Sequence, residues 1–227
     1  GTIESTLGRF IFNEIIPQDL GFVDREVEGQ ELLLEVDFHV GKKQLKQILE
    51  KFHNSGHRKI CLVQQKMLKS EGDFYTIGEE RRKAFLLFCA NMGMEASLLE
   101  HQPSGGSAAR FREQEYLQDS TQLSELIGKG ITAFICESSL CPELYYRIHQ
   151  LGKRIPEDLS IIAYNNESVL RWLLPPVTVF EIPARAMGKL AAELLLRKIS
   201  GQPEYDNGKT HFLKGKLICR ESVAPAQ

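Results

Sequence analysis

The chain has 227 residues, of which 42% are hydrophobic and 26% are charged, and its net charge is −2. This length and composition are typical of a folded globular protein with one large domain or two lobes. The near-neutral charge argues against a stand-alone nucleic-acid-binding protein, because such proteins usually carry a basic face. The longest apolar run, near Ser168–Val179, is interrupted by Arg171 and by Pro175-Pro176, so we do not expect it to cross a membrane.

The cysteines indicate a reducing compartment. They are Cys61, Cys89, Cys136, Cys141 and Cys219. The two that are nearest in sequence, Cys136 and Cys141, do not have the CxxC spacing of a redox or zinc site. Cys61, Cys136 and Cys219 lie in apolar runs, where we expect buried thiols. The chain also does not open on a basic segment followed by an apolar core, so we expect no signal peptide, free cysteines and a cytoplasmic location.

Helix-type and strand-type hydrophobic patterns alternate from about residue 44 onwards. In chain order they predict a helix at Gln44–Asn54, a strand at Lys59–Gln64, a helix at Gly78–Met92, a strand at Ala96–His101, a loop at Pro103–Ser107, a helix at Glu113–Gly130, a strand at Ile131–Cys136, a helix at Pro142–Leu151, strands at Leu159–Tyr164 and Val177–Ile182, a helix at Ala184–Ile199 and a strand at Leu213–Arg220. Such alternation is typical of an α/β fold with a doubly wound parallel sheet and helices on both faces.

In a sheet of this kind, ligands bind beyond the carboxyl ends of the strands. The residues that follow Gln64, Cys136 and Tyr164 are therefore the first candidates for a site. They contain no Walker loop, no GxGxxG or GxSxG motif, and no His, Asp or Glu cluster at metal spacing. We therefore predict no catalytic residues, no metal and no cofactor.

Six phrases carry a resemblance to a known family, and they occur in that family's order. They are Ser55–Ile60 (SGHRKI), Arg81–Phe85 (RRKAF), Ile155–Ile162 (IPEDLSII), Pro175–Val179 (PPVTV), Met187–Ala192 (MGKLAA) and Leu217–Ser222 (LICRES). Over about residues 46–227 the chain resembles the effector-binding domain of LacI/GalR-type transcriptional regulators.

The resemblance implies a periplasmic-binding-protein-like fold of type I, with two α/β lobes around a ligand cleft. We expect one nearly complete lobe, formed by residues 46–175 and 205–227, and a partial second lobe or dimer interface at residues 176–204. In this family an effector changes the angle between the lobes, and so the spacing of the DNA-binding heads in a dimer.

The resemblance also implies site residues. Arg81 matches the family arginine that reaches a polar group of the effector, although it could instead be a solvated arginine. Asn165 stands where the family usually has an aspartate, and an amide can donate and accept; a plain turn residue is the alternative. Ser138 is near the family's "nD" position, from which Glu137-Ser138 departs. Trp172 could stack on a sugar or a base, but packing in the core is the favoured alternative.

The helix at Ala184–Ile199 suggests a subunit contact. Its apolar residues Met187, Leu190 and Leu194 are the predicted homodimer interface, with core packing as the alternative. The other predicted partner is a small-molecule effector, sugar-like or nucleoside-like. DNA would be bound only through a domain absent from this chain, and no membrane contact is expected.

The first 50 residues resemble a different protein. Thr6–Glu14 (TLGRFIFNE), Ile16–Phe22 (IPQDLGF) and Val40–Leu45 (VGKKQL) are similar to a stretch of the β′ subunit of bacterial RNA polymerase. The catalytic NADFDGD motif of that subunit is absent, so two-metal nucleotidyl transfer is not expected. We interpret residues 1–45 as an atypical segment that is fused to the sensor. Residues 31–38 within it are a predicted strand, or a divergent strand of the sensor.

The leading hypothesis is the small-molecule-sensing domain of a LacI/GalR-type repressor without its helix-turn-helix domain, and not an enzyme. A non-catalytic β′ fragment fused to a sensor lobe is one alternative. A sugar-binding module of a transport or signalling protein is the other, because the family resemblance alone does not fix the output.

Overall fold

The computed structural model describes residues 40–65, 76–101, 120–200, 211 and 213–227. The elements in chain order are α1 (Val40–Asn54), β1 (Lys59–Gln65), α2 (Thr76–Asn91), β2 (Glu95–His101), α3 (Ser120–Gly128), β3 (Ala133–Glu137), α4 (Cys141–Gln150), β4 (Ser160–Tyr164), β5 (Thr178–Glu181), α5 (Ala184–Ile199) and β6 (Lys216–Ile218), with short 3-10 turns at Ser138–Leu140 and Ser168–Arg171. The predicted elements that fall on these residues are confirmed in type and order. The predicted loop Pro103–Ser107 and the segment before residue 40 lie outside the described residues.

A glycine follows the end of each of the helices α2 and α4. Gly93 has φ +66° and Gly152 has φ +69°, a backbone region that a residue with a Cβ rarely adopts. The residue after each glycine donates a backbone hydrogen bond to the last turn of the helix. The Met94 N–H donates to the Cys89 carbonyl at 2.9 Å, and the Lys153 N–H donates to the Ile148 carbonyl at 3.1 Å. These bonds satisfy helix carbonyls that would otherwise lack a donor.

The strands form one six-stranded sheet in the order β2-β1-β3-β4-β5-β6. The first five are parallel, and β6 pairs antiparallel with β5 at one edge. The predicted parallel sheet is therefore confirmed: the strands predicted at Lys59–Gln64, Ile131–Cys136 and Leu159–Tyr164 lie side by side and run in the same direction. Leu62 is paired with Ile135, and Phe134 with Ile161.

Both faces of the sheet are covered, as a doubly wound fold requires. Alternate residues of β1 point to opposite faces: Ile60 and Leu62 pack in one apolar cluster, and Cys61 and Val63 pack in the other. The first cluster contains Leu45, Ile48, Leu49 and Phe52 of α1 and Phe85 of α2. The second contains Leu123 of α3 and Leu144, Tyr145 and Ile148 of α4.

The cysteines are free, as predicted, and Cys61, Cys89, Cys136 and Cys141 are buried. Burial raises the pKa of the Cys61 and Cys136 thiols, and that of Cys89 to about 12, so these groups stay protonated near neutral pH. The expectation that Cys219 is buried was wrong. Cys219 follows the three-residue edge strand β6 and is exposed.

The chain divides into two compact units. One comprises His39–Ile182 and Gly215–Gln227 and contains the whole sheet; the other comprises Gly1–Phe38 and Pro183–Lys214, of which α5 is the main described element. The predicted placement of the strand near residue 178 in the second lobe was wrong. Thr178, Val179 and Phe180 pair in parallel with Ile162, Ala163 and Tyr164 of β4, and this pairing fixes β5 in the sheet.

A glycine allows β6 to lie close to β5. A side chain at Gly215 would overlap the ring of Phe180 and would lie 2.7 Å from the carbonyl oxygen of Glu181. A backbone carbonyl cannot move aside as the end of a flexible side chain can. The return of the chain into the sheet at Gly215 therefore depends on the absence of a Cβ.

The C-terminal residues are bound at the amino-terminal edge of the sheet. The Nε2 atom of buried His57 is 3.0 Å from the Ala224 carbonyl oxygen, and its Nδ1 atom is 2.9 Å from Oγ1 of Thr132. Because a carbonyl can only accept, Nε2 carries the proton and Nδ1 accepts from the threonine hydroxyl. The Ala224 N–H donates to Ser160 Oγ at 3.0 Å, and the Ala226 N–H donates to the Ser55 carbonyl at 2.8 Å.

His57 makes stability depend on pH. Burial lowers its pKa below the ordinary 6.5, although the bond to Ala224 opposes this. The unfolded chain therefore binds a proton first, so the stabilisation is complete above about pH 6.5 and is lost as the pH falls below it. We predict that the free energy of unfolding in urea declines between pH 7.5 and 5.5, by at most about 1.4 kcal/mol per pH unit from this group.

The decline should be weaker in His57→Gln, because glutamine has no titratable group. Asp158, with a pKa of about 2, does not titrate in this range. Equal slopes in the wild type and His57→Gln would show that His57 does not cause the effect.

Candidate functional site

Four polar residues form a row across the carboxyl-terminal edge of the sheet, which we call the edge row. They are Glu100 on β2, Gln64 on β1, Glu137 on β3 and Tyr164 on β4. Gln64 is paired with Glu100, and Glu137 with Tyr164, while Val63 and Cys136 pair one residue below. Paired residues of parallel strands point to the same face. Tyr164 packs in the cluster that contains Phe85, so the edge row lies on the face covered by α1 and α2.

Arg81 reaches the edge row from α2. Its Cζ atom lies 4.3 Å from the centroid of the Tyr164 ring, within the range of a cation–π contact. Arg81 is half-buried, and its Nε atom is buried. The structure therefore places Arg81 against the strand end that precedes Asn165, and not as a fully solvated residue of the helix.

A second arginine of α2 lies near the other end of the edge row. Arg82 is 3.3 Å from Glu79 through Nη1 and 3.9 Å from Glu100 through Nε. Glu100 also accepts a hydrogen bond of 3.1 Å from Nε2 of Gln64. No sequence motif points to Glu100, because only the pairing of β2 with β1 brings it beside Gln64.

Ser138 lies directly after β3 and is buried, with 2% of its surface exposed. Its hydroxyl donates to a carboxylate oxygen of Glu167 in the loop after β4. Ser138 therefore joins the loops that follow two neighbouring strands. Because the Ser138 hydroxyl already donates to Glu167, a ligand at this point would contact both side chains and not a free hydroxyl.

Asn165 lies directly after β4, in the left-handed region with φ +62°, and is exposed. Its N–H donates to the Phe180 carbonyl at 2.9 Å, which fixes the turn beside β5. Asparagine tolerates this conformation better than most residues. The backbone of Asn165 thus stabilises the turn. Its side chain is exposed at the same edge of the sheet as Arg81 and Ser138.

Asn166 is the centre of a polar network that the sequence did not predict. Its Nδ2 donates to Glu181 Oε1 at 2.7 Å, and its Oδ1 accepts from Nη2 of Arg220 at 2.6 Å. Nη1 of Arg220 donates to the Val177 carbonyl at 2.6 Å, and Lys216 forms a 3.2 Å ion pair with Glu181. The bond from Asn166 and then that from Lys216 lower the pKa of Glu181, so its carboxylate stays ionised.

Several buried polar atoms at the carboxyl edge have no hydrogen-bond partner. They are Tyr164 Oη, Gln64 Oε1, Arg81 Nε and Arg82 Nε. Burial raises the pKa of the Tyr164 phenol, which therefore remains protonated and can both donate and accept. Buried polar groups are normally paired with protein or water, so this concentration makes the carboxyl edge the candidate site for a polar ligand.

The opposite, amino-terminal edge holds a cavity of about 210 Å³ lined by His57, Thr132, Lys153, Asp158 and Pro225 among others. Both ring nitrogens of His57 have partners there, and Asp158 is bonded to Arg154 at 3.0 Å. The cavity therefore lacks the unpaired polar atoms of the carboxyl edge, and we place the candidate site at the carboxyl edge.

Trp172 is not brought to the site. The expectation that it packs in the core was wrong, because 82% of its surface is exposed. The Val177 N–H donates to the Leu170 carbonyl at 3.0 Å, so this turn lies beside the start of β5, away from the carboxyl edge. Leu174, 80% exposed, and Val169, 42% exposed, accompany Trp172 on the surface.

The predicted interface residues Met187, Leu190 and Leu194 lie on α5 and are half-buried.

Among the described residues, no helix has the length and apolar content needed to cross a membrane. The same part of the chain contains no cluster of His, Cys, Asp and Glu suited to a metal ion.

The model of a family described as the periplasmic binding protein-like domain matches residues 49–223. The chain belongs to this family. The match covers every strand of the sheet and the residues of the candidate site. It agrees with the fold predicted from the six phrases, and the mixed α/β sheet is that of the periplasmic binding protein-like fold.

Relatives of this periplasmic binding protein-like domain include transcriptional regulators. The ribose operon repressor of Haemophilus influenzae is 38% identical over 170 residues, which are 75% of this chain and 47% of the repressor. The chain thus spans about half the length of that relative. A solved LacI family transcriptional regulator from Enterococcus faecium with bound ribose has a TM-score of 0.63 at 23% identity, covering 82% of this chain and 64% of that chain. At this identity the likeness shows the fold alone.

A further relative confirms the second resemblance. The β′ subunit of DNA-directed RNA polymerase from Lachnoclostridium phytofermentans is 72% identical over 54 residues, which are 24% of this chain and 4% of the subunit. The likeness is therefore to a short segment of a large protein. The interpretation of residues 1–45 as a fused segment stays a prediction.

The network around Asn166 predicts that Arg220 is not replaceable by lysine. Lysine keeps the charge, but it lacks the planar pair of donors with which Arg220 bonds to Asn166 and to the Val177 carbonyl at the same time. We expect Arg220→Lys to lower the free energy of unfolding in urea by about 1–3 kcal/mol. Arg171→Lys, at an exposed arginine of the neighbouring loop, should change it by less than about 0.5 kcal/mol. Equal stability of the two variants would contradict a structural role for the network.

Proposed function

We propose that this chain is the effector-binding part of a LacI/GalR-type transcriptional repressor and binds a small polar molecule at the carboxyl edge of the sheet. The observation that carries the proposal is the position of Arg81, which stacks on Tyr164 at the strand end that leads into Asn165. Ser138, on the neighbouring loop, completes the proposed effector site. Trp172 is left out, because its turn lies beside the start of β5.

A neutral, hydroxyl-rich ligand suits the chemistry of this edge. Asn165 and Tyr164 can both donate and accept, as sugar hydroxyls do. The carboxylates at the same edge, Glu100, Glu137 and Glu167, offset the positive charge of the two arginines, so this edge does not select an anion. The curated relative is a ribose operon repressor and the solved regulator holds ribose, which makes D-ribose the first ligand to test.

Binding, and not catalysis, is the proposed activity. The relatives named above are regulators, apart from the polymerase segment, whose catalytic motif this sequence lacks. An effector acts in such a protein by binding one conformation more tightly than another. The cytoplasmic location and the attachment of DNA through a domain outside this chain remain predictions that go with this role.

Ligand binding should stabilise the folded chain, since only the folded state has the site. We predict that D-ribose, or another member of a panel of pentoses, hexoses and nucleosides, raises the thermal unfolding midpoint. At about 100 times the Kd the rise should be roughly 5–10 °C for a chain of this size. Arg81→Ala should abolish the rise, because it removes the stacked guanidinium.

The matched control is Lys83→Ala on the same helix. The Lys83 side chain is 74% exposed and pairs only loosely with Glu79, at 3.9 Å. This variant should keep the full ligand-induced rise. A rise that survives in Arg81→Ala would remove Arg81 from the proposed site, and a panel without any hit would contradict the proposed function.

We also propose that the protein is a homodimer, with Met187, Leu190 and Leu194 of α5 at the interface. These residues follow a helical spacing of three and four, so they share one face. The exposed surface of Val169, Trp172 and Leu174 is a second apolar surface, on the unit that contains the sheet. Exposed apolar groups of this kind favour association.

Light scattering after size exclusion tests the dimer. We predict a dimer for the wild type and a monomer for Leu190→Glu, because a carboxylate in the interface would lose its hydration. Trp172→Ser is the comparison variant. Dissociation by Trp172→Ser but not by Leu190→Glu would move the interface to the second surface, and a wild-type monomer at high concentration would rule out the dimer.

A further inference from the structure

Two buried tyrosines differ in whether the phenol hydroxyl has a hydrogen-bond partner. Tyr145 on α4 is 3% exposed, and its hydroxyl donates to the Pro175 carbonyl at 3.1 Å. Tyr164 is 2% exposed, and its hydroxyl has no hydrogen-bond partner. A buried hydroxyl without a partner costs free energy relative to water, so folding alone does not account for a tyrosine at this position.

The unpaired hydroxyl lies where the proposed effector site is. Tyr164 is the last residue of β4 and directly precedes Asn165. The guanidinium of Arg81 lies over its ring at 4.3 Å, and the Nε atom of that guanidinium is also buried without a partner. Gln64, in the same edge row and 4% exposed, leaves its Oε1 atom unpaired. Unpaired donors and acceptors therefore lie along the same edge of the sheet, with Gln64 two strands away from Tyr164.

We propose that Tyr164 and Arg81 form a subsite at the base of the effector site that binds one hydroxyl group of the ligand. The inference rests on the proposed function and adds a residue that determines specificity. The phenol can donate to a ligand oxygen and accept from a ligand hydroxyl, and Arg81 Nε can donate to the same group. A ligand that lacks this hydroxyl leaves both buried atoms unpaired and is rejected.

The chemistry of the subsite favours a neutral hydroxyl over an anionic group. Tyr164 keeps its proton near neutral pH because burial disfavours the phenolate. Glu137 is paired with Tyr164 on the neighbouring strand and offsets the positive charge of Arg81, so the subsite does not select a carboxylate or a phosphate. An ordered water molecule would satisfy the same atoms, and it is the outcome that the test must separate from a ligand.

The test compares Tyr164→Phe with Tyr145→Phe, each of which removes one hydroxyl from a buried ring. Binding of D-ribose, or of the sugar that gives the largest thermal shift, is measured by titration calorimetry. We expect Tyr164→Phe to raise the Kd about 10-fold or more, the effect of losing one good hydrogen bond to the ligand. Tyr145→Phe should change the Kd by less than about 2-fold, because its hydroxyl is bonded within the protein.

The unfolding midpoint without ligand distinguishes the two hydroxyls independently. Tyr145→Phe should lower it, because the Pro175 carbonyl loses its donor. Tyr164→Phe should leave it unchanged or raise it, because no bond within the protein is lost. Tyr164→Phe is therefore expected to fold, and weaker ligand binding by this variant cannot be attributed to lost structure.

Singly deoxygenated forms of the same sugar identify the hydroxyl. One of them should bind the wild type weakly and should lose no further affinity in Tyr164→Phe, whereas the others should lose the full factor. Wild-type affinity for the parent sugar in Tyr164→Phe would overturn the subsite and assign the hydroxyl to water, leaving the proposed function intact. A wild type that binds no sugar or nucleoside of the panel would overturn both.

Discussion

The in-register parallel pairing of β1, β3 and β4 is the constraint on which the rest of the structure depends. It brings Gln64, Glu137 and Tyr164 to one edge, although about 100 residues separate the first from the last. Each strand is buried on both faces. A shift of one residue in the register would therefore move each apolar side chain to the opposite cluster and would turn the edge-row side chains to the other face of the sheet. The candidate site follows from this register.

The polar side chains at the two ends of the sheet differ in whether they have hydrogen-bond partners. At the amino edge, His57 and Ser160 bind the C-terminal residues, and the polar atoms of these two side chains have partners. At the carboxyl edge, Tyr164, Gln64 and Arg81 each keep a buried polar atom without one. A buried atom that is unpaired in the free protein can gain a bond when a ligand arrives, which a paired atom cannot. This asymmetry, more than any single residue, directs the proposed function to the carboxyl edge.

Much of the fold could be predicted from local pattern. Runs such as Lys59–Gln64 and Leu159–Tyr164 are short, apolar and separated by helices, which is enough to indicate parallel strands. Of the residues predicted for the site, Arg81, Ser138 and Asn165 lie at one edge of the sheet and Trp172 does not; their role in binding stays a prediction. Its apolar surroundings in sequence suggested burial, but the turn that ends at Val177 leaves it 82% exposed. Local hydrophobicity does not reveal which side of a turn faces the protein.

The sequence by itself determined the order of helices and strands, the family and the absence of the polymerase catalytic motif, because each of these is written in residues that are neighbours along the chain. Only the tertiary structure decided that Glu100 lies beside Gln64, that Asn166 links Glu181 with Arg220, and that Tyr145 has a hydrogen-bond acceptor while Tyr164 has none. These contacts join residues far apart in sequence. Two tyrosines look alike in a sequence, and whether a hydroxyl is satisfied depends on which carbonyl the folded backbone brings within about 3 Å.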